Sequence, residues 1–353
     1  MSDKYQNQKE IETEQKVKGI VSDLPFFCEQ FFYHLQENSS VNTRLQYAYD
    51  LKRFFCYIQN SAGFSNRNIK TMTPHEILDV LTVEDIQEYL KTFSYKIRKD
   101  GSLQKYSRAY MARLTASIRS LYHYFYKLQK IEKDLGVLLD APVVPGKEIQ
   151  TLDKEQVHRL LEAILSPSGM NKKEYNAYCK VYRRDYALVV LILGTGLRIS
   201  ECLGIDLSDL DFKNNTVIVS RKGGDQDVVY FSRFVADALE DYIDNGRNFL
   251  VAKSGRSPAL FLSTQRERLS ADSVQRLLNK YTLKAGLNIH VTPHSLRRTF
   301  GTNLYSETGD IYLVSTALHH SSVETTRKHY AKMDESRKKT ASEIADTIFG
   351  EEK

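Results

Sequence analysis

The residues best suited to chemistry lie near the C-terminal end of the chain, between His290 and Tyr330. The stretch reads His290-Val-Thr-Pro-His294-Ser-Leu-Arg297-Arg298-Thr, then an apolar run, then Leu318-His319-His320-Ser-Ser-Val-Glu-Thr-Thr-Arg-Lys-His329-Tyr330. Imidazoles, guanidiniums and a phenol recur at short spacings, with no carboxylate cluster and no cysteine among them. Such a set suits binding an anion and attacking it with a phenolic oxygen. His294 precedes Arg297 by three positions, which puts both on nearly the same face of a helix. The chain holds 22 tyrosines and no tryptophan, so abundance does not single out a nucleophile. Within this stretch Tyr330 competes with Tyr305 and Tyr312, which fall in the apolar run and read as core. His290 and His329 read as structural.

Other elements must bring the remaining cations to this stretch. Leu152-Asp153-Lys154-Glu155, followed by Val157, Leu160, Leu161 and Ile164, reads as a capped helix. Tyr182 to Gly194 is a strongly apolar helix, followed by Thr195-Gly196-Leu197-Arg198-Ile199-Ser200-Glu201. The Gly-x-Gly lacks a following Lys-Ser/Thr and is not a phosphate loop. It reads as a tight turn that leaves Arg198 at the start of the next helix, where the backbone dipole also favours an anion. Thr216–Ser220 and Val228–Phe231 are β-branched and aromatic runs flanking Gly223-Gly224. They predict a hairpin with Lys222 at its tip. Helices are expected again over Phe234–Tyr242 and Ala271–Ala285.

The first half reads as helical and basic. Residues 1–20 look like a flexible, charged leader. Phe26, Phe27, Phe31, Phe32 and Leu35 recur at helical spacing, as do Leu45, Tyr49, Leu51, Phe54, Phe55 and Ile58. Thr82 is expected to cap a further helix. The clearest helix runs from about Ser107 to Lys130, with Met111, Leu114, Ile118, Leu121, Phe125 and Leu128 as its core stripe. Between Lys91 and Lys130 the only acidic residue is Asp100. Lys96, Arg98, Lys99, Lys105, Arg108, Arg113 and Arg119 are therefore candidate contacts to nucleic-acid phosphates, as is Arg44 on the earlier helix, with Tyr106, Tyr110 and Tyr122 as candidate sugar or base contacts. The bland alternative is a solvated helix face. Gly136 to Gln150 contains Ala-Pro-Val-Val-Pro-Gly-Lys, whose two prolines and glycine without periodicity mark a linker.

The whole chain sets wider bounds. Its 353 residues suggest two domains, and 41% hydrophobic with 27% charged residues is the balance of a soluble globular protein. No apolar run reaches the length of a membrane span, and the polar N-terminus lacks the core of a signal peptide, so a cytoplasmic location is expected. Cys28, Cys56, Cys179 and Cys202 show no zinc-site spacing and read as reduced, mostly buried thiols. A net charge of +6 is weak evidence for a nucleic-acid partner by itself.

Together these motifs resemble the tyrosine recombinase, or phage integrase, family, and Xer-type and compact integrases in particular. The resemblance rests on Thr-Gly-Leu-Arg-Ile-Ser-Glu, the Lys-Gly-Gly hairpin, His-Ser-Leu-Arg, Leu-x-His-Ser-Ser-x-x-Thr-Thr and a tyrosine just beyond. They stand in the family's order and the likeness covers about residues 24–335. It implies a mainly α fold with a small antiparallel β-sheet, arranged as a two-domain C-shaped clamp. The implied parts are a leader (1–20), a helical, SAM-like core-binding domain (21–140), a linker (141–150), a catalytic domain (151–335) and a C-terminal tail or helix for protomer contact (336–353). It implies site-specific DNA recombination through a 3′-phosphotyrosyl intermediate, serving chromosome dimer resolution or the movement of a mobile element.

Arg198, Lys222, His294, Arg297, His320 and Tyr330 fall on the family's catalytic pattern. Tyr330 would be the nucleophile and Lys222 the acid for the leaving 5′-oxygen. The arginines and histidines would hold the phosphate, and Arg298 would contact DNA or backbone. Glu201 would brace an arginine or a histidine. No ATP, metal or other cofactor is implied, because side chains supply the cations and the diester bond energy is retained. The implied partners are double-stranded DNA with paired inverted half-sites and three further copies of the chain, with no membrane. His319 departs from the glycine usual in the family, and the spacing from His320 to Tyr330 is one longer than in many relatives. A non-catalytic DNA-binding protein and a type IB topoisomerase-like enzyme remain as alternatives.

Overall fold

The computed structural model describes residues 2–61, 63–97, 101–144, 150–221, 225–251 and 257–319. The chain divides into two compact units, one formed by Gln6–Lys147 and the other by Glu148 onward together with Met1–Tyr5.

The first unit is built from helices α1 (Ser2–Val21), α2 (Phe27–Asn38), α3 (Val41–Gln59), α4 (Pro74–Leu78), α5 (Val83–Thr92) and α6 (Arg108–Lys127), with strands β1 (Tyr95–Ile97) and β2 (Leu103–Lys105) between α5 and α6. The caps are the ones the sequence offers. Ser40 accepts the Thr43 N–H, Thr82 and Asp85 form a reciprocal capping box, and Ser107 accepts the Tyr110 N–H. The core is the union of the helical stripes: Phe31 and Phe32 from α2, Leu51, Phe54, Phe55 and Ile58 from α3, and Leu114, Ile118, Leu121 and Phe125 from α6.

Four features differ from the sequence reading. The segment expected as a flexible leader is α1, and its Val17 and Val21 are buried in this core. Tyr122, a candidate DNA contact, is buried too and donates its hydroxyl to the Leu78 carbonyl at 3.1 Å, because it shares a face with Leu114, Ile118 and Phe125. Leu128 lies one residue past α6 and is exposed. The β1–β2 hairpin is absent from the sequence reading: Asp100-Gly101 is a turn signal, but Ile97 is the only β-branched residue between Tyr95 and Lys105, too little to mark strands.

Asp50, on α3, is fully buried. Arg113 Nη2 lies 3.4 Å from it and Arg53 Nη1 4.0 Å, yet neither carboxylate oxygen has a hydrogen bond. Burial pushes its carboxyl up to about 6 from 3.8, and the two guanidiniums offset only part of that. The folded state therefore holds this proton more tightly than the unfolded chain. The stability associated with Asp50 should rise as pH falls from about 7 to about 4, by on the order of 3 kcal/mol. Asp50→Asn should lack this slope. Unfolding of wild type and variant across that range tests it, and two curves that stay parallel would remove the buried charge as the cause.

The second unit contains α7 (Lys154–Leu165), α8 (Lys172–Cys179), α9 (Tyr182–Thr195), α10 (Ile199–Gly204), strands β3 (Leu210–Asp211), β4 (Thr216–Ser220) and β5 (Gln226–Tyr230), then α11 (Arg233–Asn245), α12 (Ala271–Lys284), α13 (Pro293–Thr308) and α14 (Ile311–Ala317). The sheet is antiparallel in the order β3-β4-β5, with Val217 opposite Val229 and Val219 opposite Asp227. Beyond its charged first turn helix α9 is apolar all round and buried from Ala187 through Ile192, so it forms the centre, packed against α11, α13 and α7. At its N-terminal end Arg184 pairs with Asp185 at 2.6 Å, and Tyr281 donates to the same carboxylate at 2.9 Å. Among the described residues no helix is long and apolar enough to cross a membrane. Cys28 and Cys202 are buried, whereas Cys56 is exposed and Cys179 half-buried.

Candidate active site

The site begins where α9 stops. Gly196 caps the helix in the left-handed region, at φ 66°, and a Cβ there would collide with Phe300 and Leu318. This close approach lets α13 and the end of α14 lie against the turn. Arg198 then stands at the N-cap of α10. Its own N–H donates to Glu201 Oε2 at 2.7 Å, the backbone half of a capping box, which fixes the carboxylate beside the turn.

Glu201 is the hub. It is buried, and Arg198 Nη1 donates to its Oε1 at 2.9 Å. Arg221 Nη1 lies 2.9 Å from Oε2, and Arg297 Nη1 3.9 Å from the same oxygen. Burial alone would raise the Glu201 carboxyl. The Arg198 backbone N–H and the Arg221 and Arg198 guanidiniums outweigh it and hold it below its ordinary value. Burial and the charge on Arg198 push Arg297 down to about 10, which leaves it cationic at neutral pH.

The two arginines are held differently. Arg297, buried on α13, donates from Nη1 to the Gly196 carbonyl at 2.6 Å and from Nη2 to the Leu318 carbonyl. It bolts the α9 turn to the end of α14. The Arg198 side chain remains 43% exposed, although Nη2 also donates to the His319 carbonyl at 3.2 Å. Of its five N–H donors, those contacts use two, and the guanidinium faces outward. His294 sits on the exposed side of the first turn of α13, which Thr292 and Ser295 cap reciprocally with Pro293 at the first position.

His319 explains its own oddity. Its φ is 49°, in the left-handed region that glycine enters without strain. The backbone here turns just past α14, and the imidazole Nδ1 lies 3.1 Å from Asp227 Oδ2 on β5. The same Asp227 oxygen accepts from Arg221 Nη2 at 2.6 Å. Arg221, Asp227 and this placement of His319 had no role in the sequence reading. Strand alternation held the clue: Arg221 continues the inward face of Val217 and Val219. A guanidinium on that face needs buried acids.

The structure thus brings Arg198, Arg297 and Glu201 together across about a hundred positions of sequence, with His294 one turn from Arg297. Lys222, His320 and Tyr330 lie outside the described residues, as do His329 and the expected tail at 336–353. Tyr305 is buried as expected. Tyr312 is exposed, against expectation, because it lies on the outer side of the short α14 whose Val314 faces inward. His290 is exposed, and Arg298 is half-buried.

In the first unit, Lys105, Arg108 and Arg119 are exposed. Arg44 is not a surface cation: it pairs with Glu14 of α1 at 2.5 Å, with its side chain only 11% exposed. Glu14 lies in the segment whose sequence reads as a leader. Arg113 is drawn toward Asp50 and Gln46 and lies 5.3 Å over the Tyr110 ring. Tyr106 stacks on Tyr110 at 4.3 Å, and Arg53 donates to the Tyr110 hydroxyl. Lys96 lies in β1, and Arg98 and Lys99 lie outside the described residues.

Residues 150–337 match the phage integrase family. The tyrosine recombinase XerC of Oceanobacillus iheyensis is 30% identical over 312 residues, covering 87% of this chain and 92% of that protein. The tyrosine recombinase XerS of Lactococcus lactis subsp. cremoris is 28% identical over 341 residues, covering 90% and 93%. Among solved structures, the XerH site-specific recombinase bound to a palindromic difH substrate superposes with a TM-score of 0.63. It is 22% identical and covers 88% of this chain and 81% of that one. A lambda integrase dimer bound to a COC′ core site superposes with a TM-score of 0.57 at 15% identity, covering 84% and 94%. The described elements, mainly helical with one small antiparallel sheet in the second unit, are those of this fold. The chain belongs to the phage integrase family and is a site-specific tyrosine recombinase.

Proposed function

We propose that this recombinase cleaves and rejoins DNA at a phosphodiester bound by Arg198, with Arg297 and His294 beside it. The observation that carries this reading is the exposed Arg198 guanidinium, fixed by buried Glu201 and backed by a second permanent charge on Arg297. Three guanidiniums against two carboxylates leave the cluster net positive before any ligand arrives. A phosphodiester gains charge on its non-bridging oxygens as a fifth bond forms, and preorganised guanidiniums meet that charge without rearranging.

In this reading the Tyr330 oxygen attacks phosphorus, the P–O5′ bond breaks, and Lys222 delivers a proton to the departing 5′-oxygen. His294 and His320 share the phosphate, and His294 can take part in proton transfer. A second 5′-hydroxyl reverses the sequence and releases Tyr330. The exposed Lys105, Arg108 and Arg119 of the first unit contact the backbone of the duplex, and Arg298 is a further candidate contact. Two protomers occupy inverted half-sites and two such pairs form a tetramer, with residues 336–353 docking on a neighbour. The palindromic substrate of XerH and the dimer of lambda integrase on its core site support this arrangement. Either chromosome dimer resolution or mobile-element movement uses the same steps.

The test is a suicide duplex carrying the selected binding site, nicked so that the leaving fragment diffuses away. Wild type should accumulate a covalent complex and Tyr330→Phe none. Covalent trapping by Tyr330→Phe would move the nucleophile elsewhere. Resolution of a Holliday junction by the wild type separates strand exchange from nicking and religation.

A further inference from the structure

We propose that Asp227 is a positioning residue for Arg198, acting on it from two sides. On one side Asp227 accepts from Arg221, which in turn holds Glu201 Oε2, while Glu201 Oε1 receives Arg198 Nη1. On the other side Asp227 lies 3.1 Å from the His319 imidazole, and the His319 carbonyl receives Arg198 Nη2. Both terminal nitrogens of the exposed guanidinium are therefore set by groups that meet on one carboxylate of β5.

Each link is physically required. Arg221 is buried, and Glu201 by itself would have to neutralise Arg198, Arg221 and Arg297 together. Asp227 takes over much of the charge on Arg221 and leaves Glu201 oriented toward Arg198. His319 occupies a left-handed backbone position without being glycine, which disfavours the conformation. The contact to Asp227 holds it there and so aims its carbonyl. Positioning of this kind matters because a displacement of about 1 Å in a reacting constellation can cost on the order of 10²-fold in rate.

The inference rests on Arg198 as the group that meets the phosphate charge, and the experiment tests the two ideas separately. Single-turnover covalent trapping is measured with the full chain on two suicide duplexes, one with a phosphodiester and one with a neutral methylphosphonate at the scissile position. Arg198→Ala is the reference: its defect should be large on the diester and much smaller on the methylphosphonate, where no negative charge needs a partner. Asp227→Ala should be slowed on the order of 10²-fold on the diester. It should show the same relief on the methylphosphonate, and Asp227→Glu should restore most of the rate. In the Arg198→Ala background, adding Asp227→Ala should cost little further, as expected of two residues acting in series.

His319→Gly keeps the backbone conformation and removes only the ring. It should fall between wild type and Asp227→Ala on the diester. If Arg198→Ala is not relieved on the methylphosphonate, the phosphate role of Arg198 falls. If Arg198→Ala is relieved but Asp227→Ala is equally slow on both substrates, or the two losses multiply, Asp227 does not act through Arg198 and the proposal is overturned.

Discussion

Arg198→Ala is expected to slow covalent complex formation by about 10²–10³-fold, the cost of one preorganised donor to a developing oxyanion. Its melting temperature should stay near that of the wild type. The Arg198 side chain is 43% exposed, and Arg221, 2.9 Å from Glu201, is a second partner for that carboxylate. Arg198→Lys should recover only part of the rate. A lysine keeps the charge but cannot span Glu201 and the His319 carbonyl while offering a planar pair of donors to the phosphate. Single-turnover trapping beside calorimetry measures both quantities. A rate for Arg198→Ala within about threefold of wild type would remove this residue from the chemistry, since each kcal/mol off the barrier exceeds that margin.

Glu201→Gln is expected to have the larger effect on stability. Arg221 and Arg297 are buried beside this carboxylate, and Arg198 meets it at 2.9 Å. Replacing the anion by a neutral amide leaves these cations facing one another. Breaking a buried pair in this way costs about 3–5 kcal/mol, or roughly 6–20 °C in melting temperature for a unit of this size. Cleavage should fall with it, because Arg198 loses its anchor. The pH dependence has a definite sign. The folded Glu201 carboxyl is held below its ordinary 4.5, so the stability it confers is fully present above that value. It is lost only as pH falls through the lower, folded value. The gap between wild type and variant should therefore be constant from pH 6 to 8 and close only in acid. A melting temperature within about 2 °C of wild type at pH 7 would show that the guanidiniums find other partners.

Much of the molecule is legible in particular residues. The capped helices announce themselves: Thr82 with Asp85, Ser107, and Asp153 with Gln156 all cap as their spacing suggests. The α9 turn at Gly196 and the N-cap position of Arg198 follow from Gly-x-Gly and the Glu three residues later. The misreadings have a shared origin. Polar α1 looks like a leader because its sequence is mostly charged or uncharged polar residues, and only its packing of Val17 and Val21 against other helices makes it part of the core. Arg44 looks like a DNA contact until α1 is present to supply Glu14. Tyr122 looks like a surface phenol until α4 supplies the Leu78 carbonyl.

The active site divides along the same line. Residue types and local order, held in Arg198, Glu201, His294 and Arg297, belong to the sequence, because helix caps and turns depend on neighbours a few positions away. The pairing of those groups belongs to the tertiary structure. Charge partners are chosen by distance in space, and distance is set by α9 standing between α11 and α13 and by the strand alternation that turns Arg221 inward. Glu201 could have braced any nearby cation, and it holds three guanidiniums at once. His319 read as a departure from a glycine, and its left-handed backbone and contact to Asp227 give that departure a physical form.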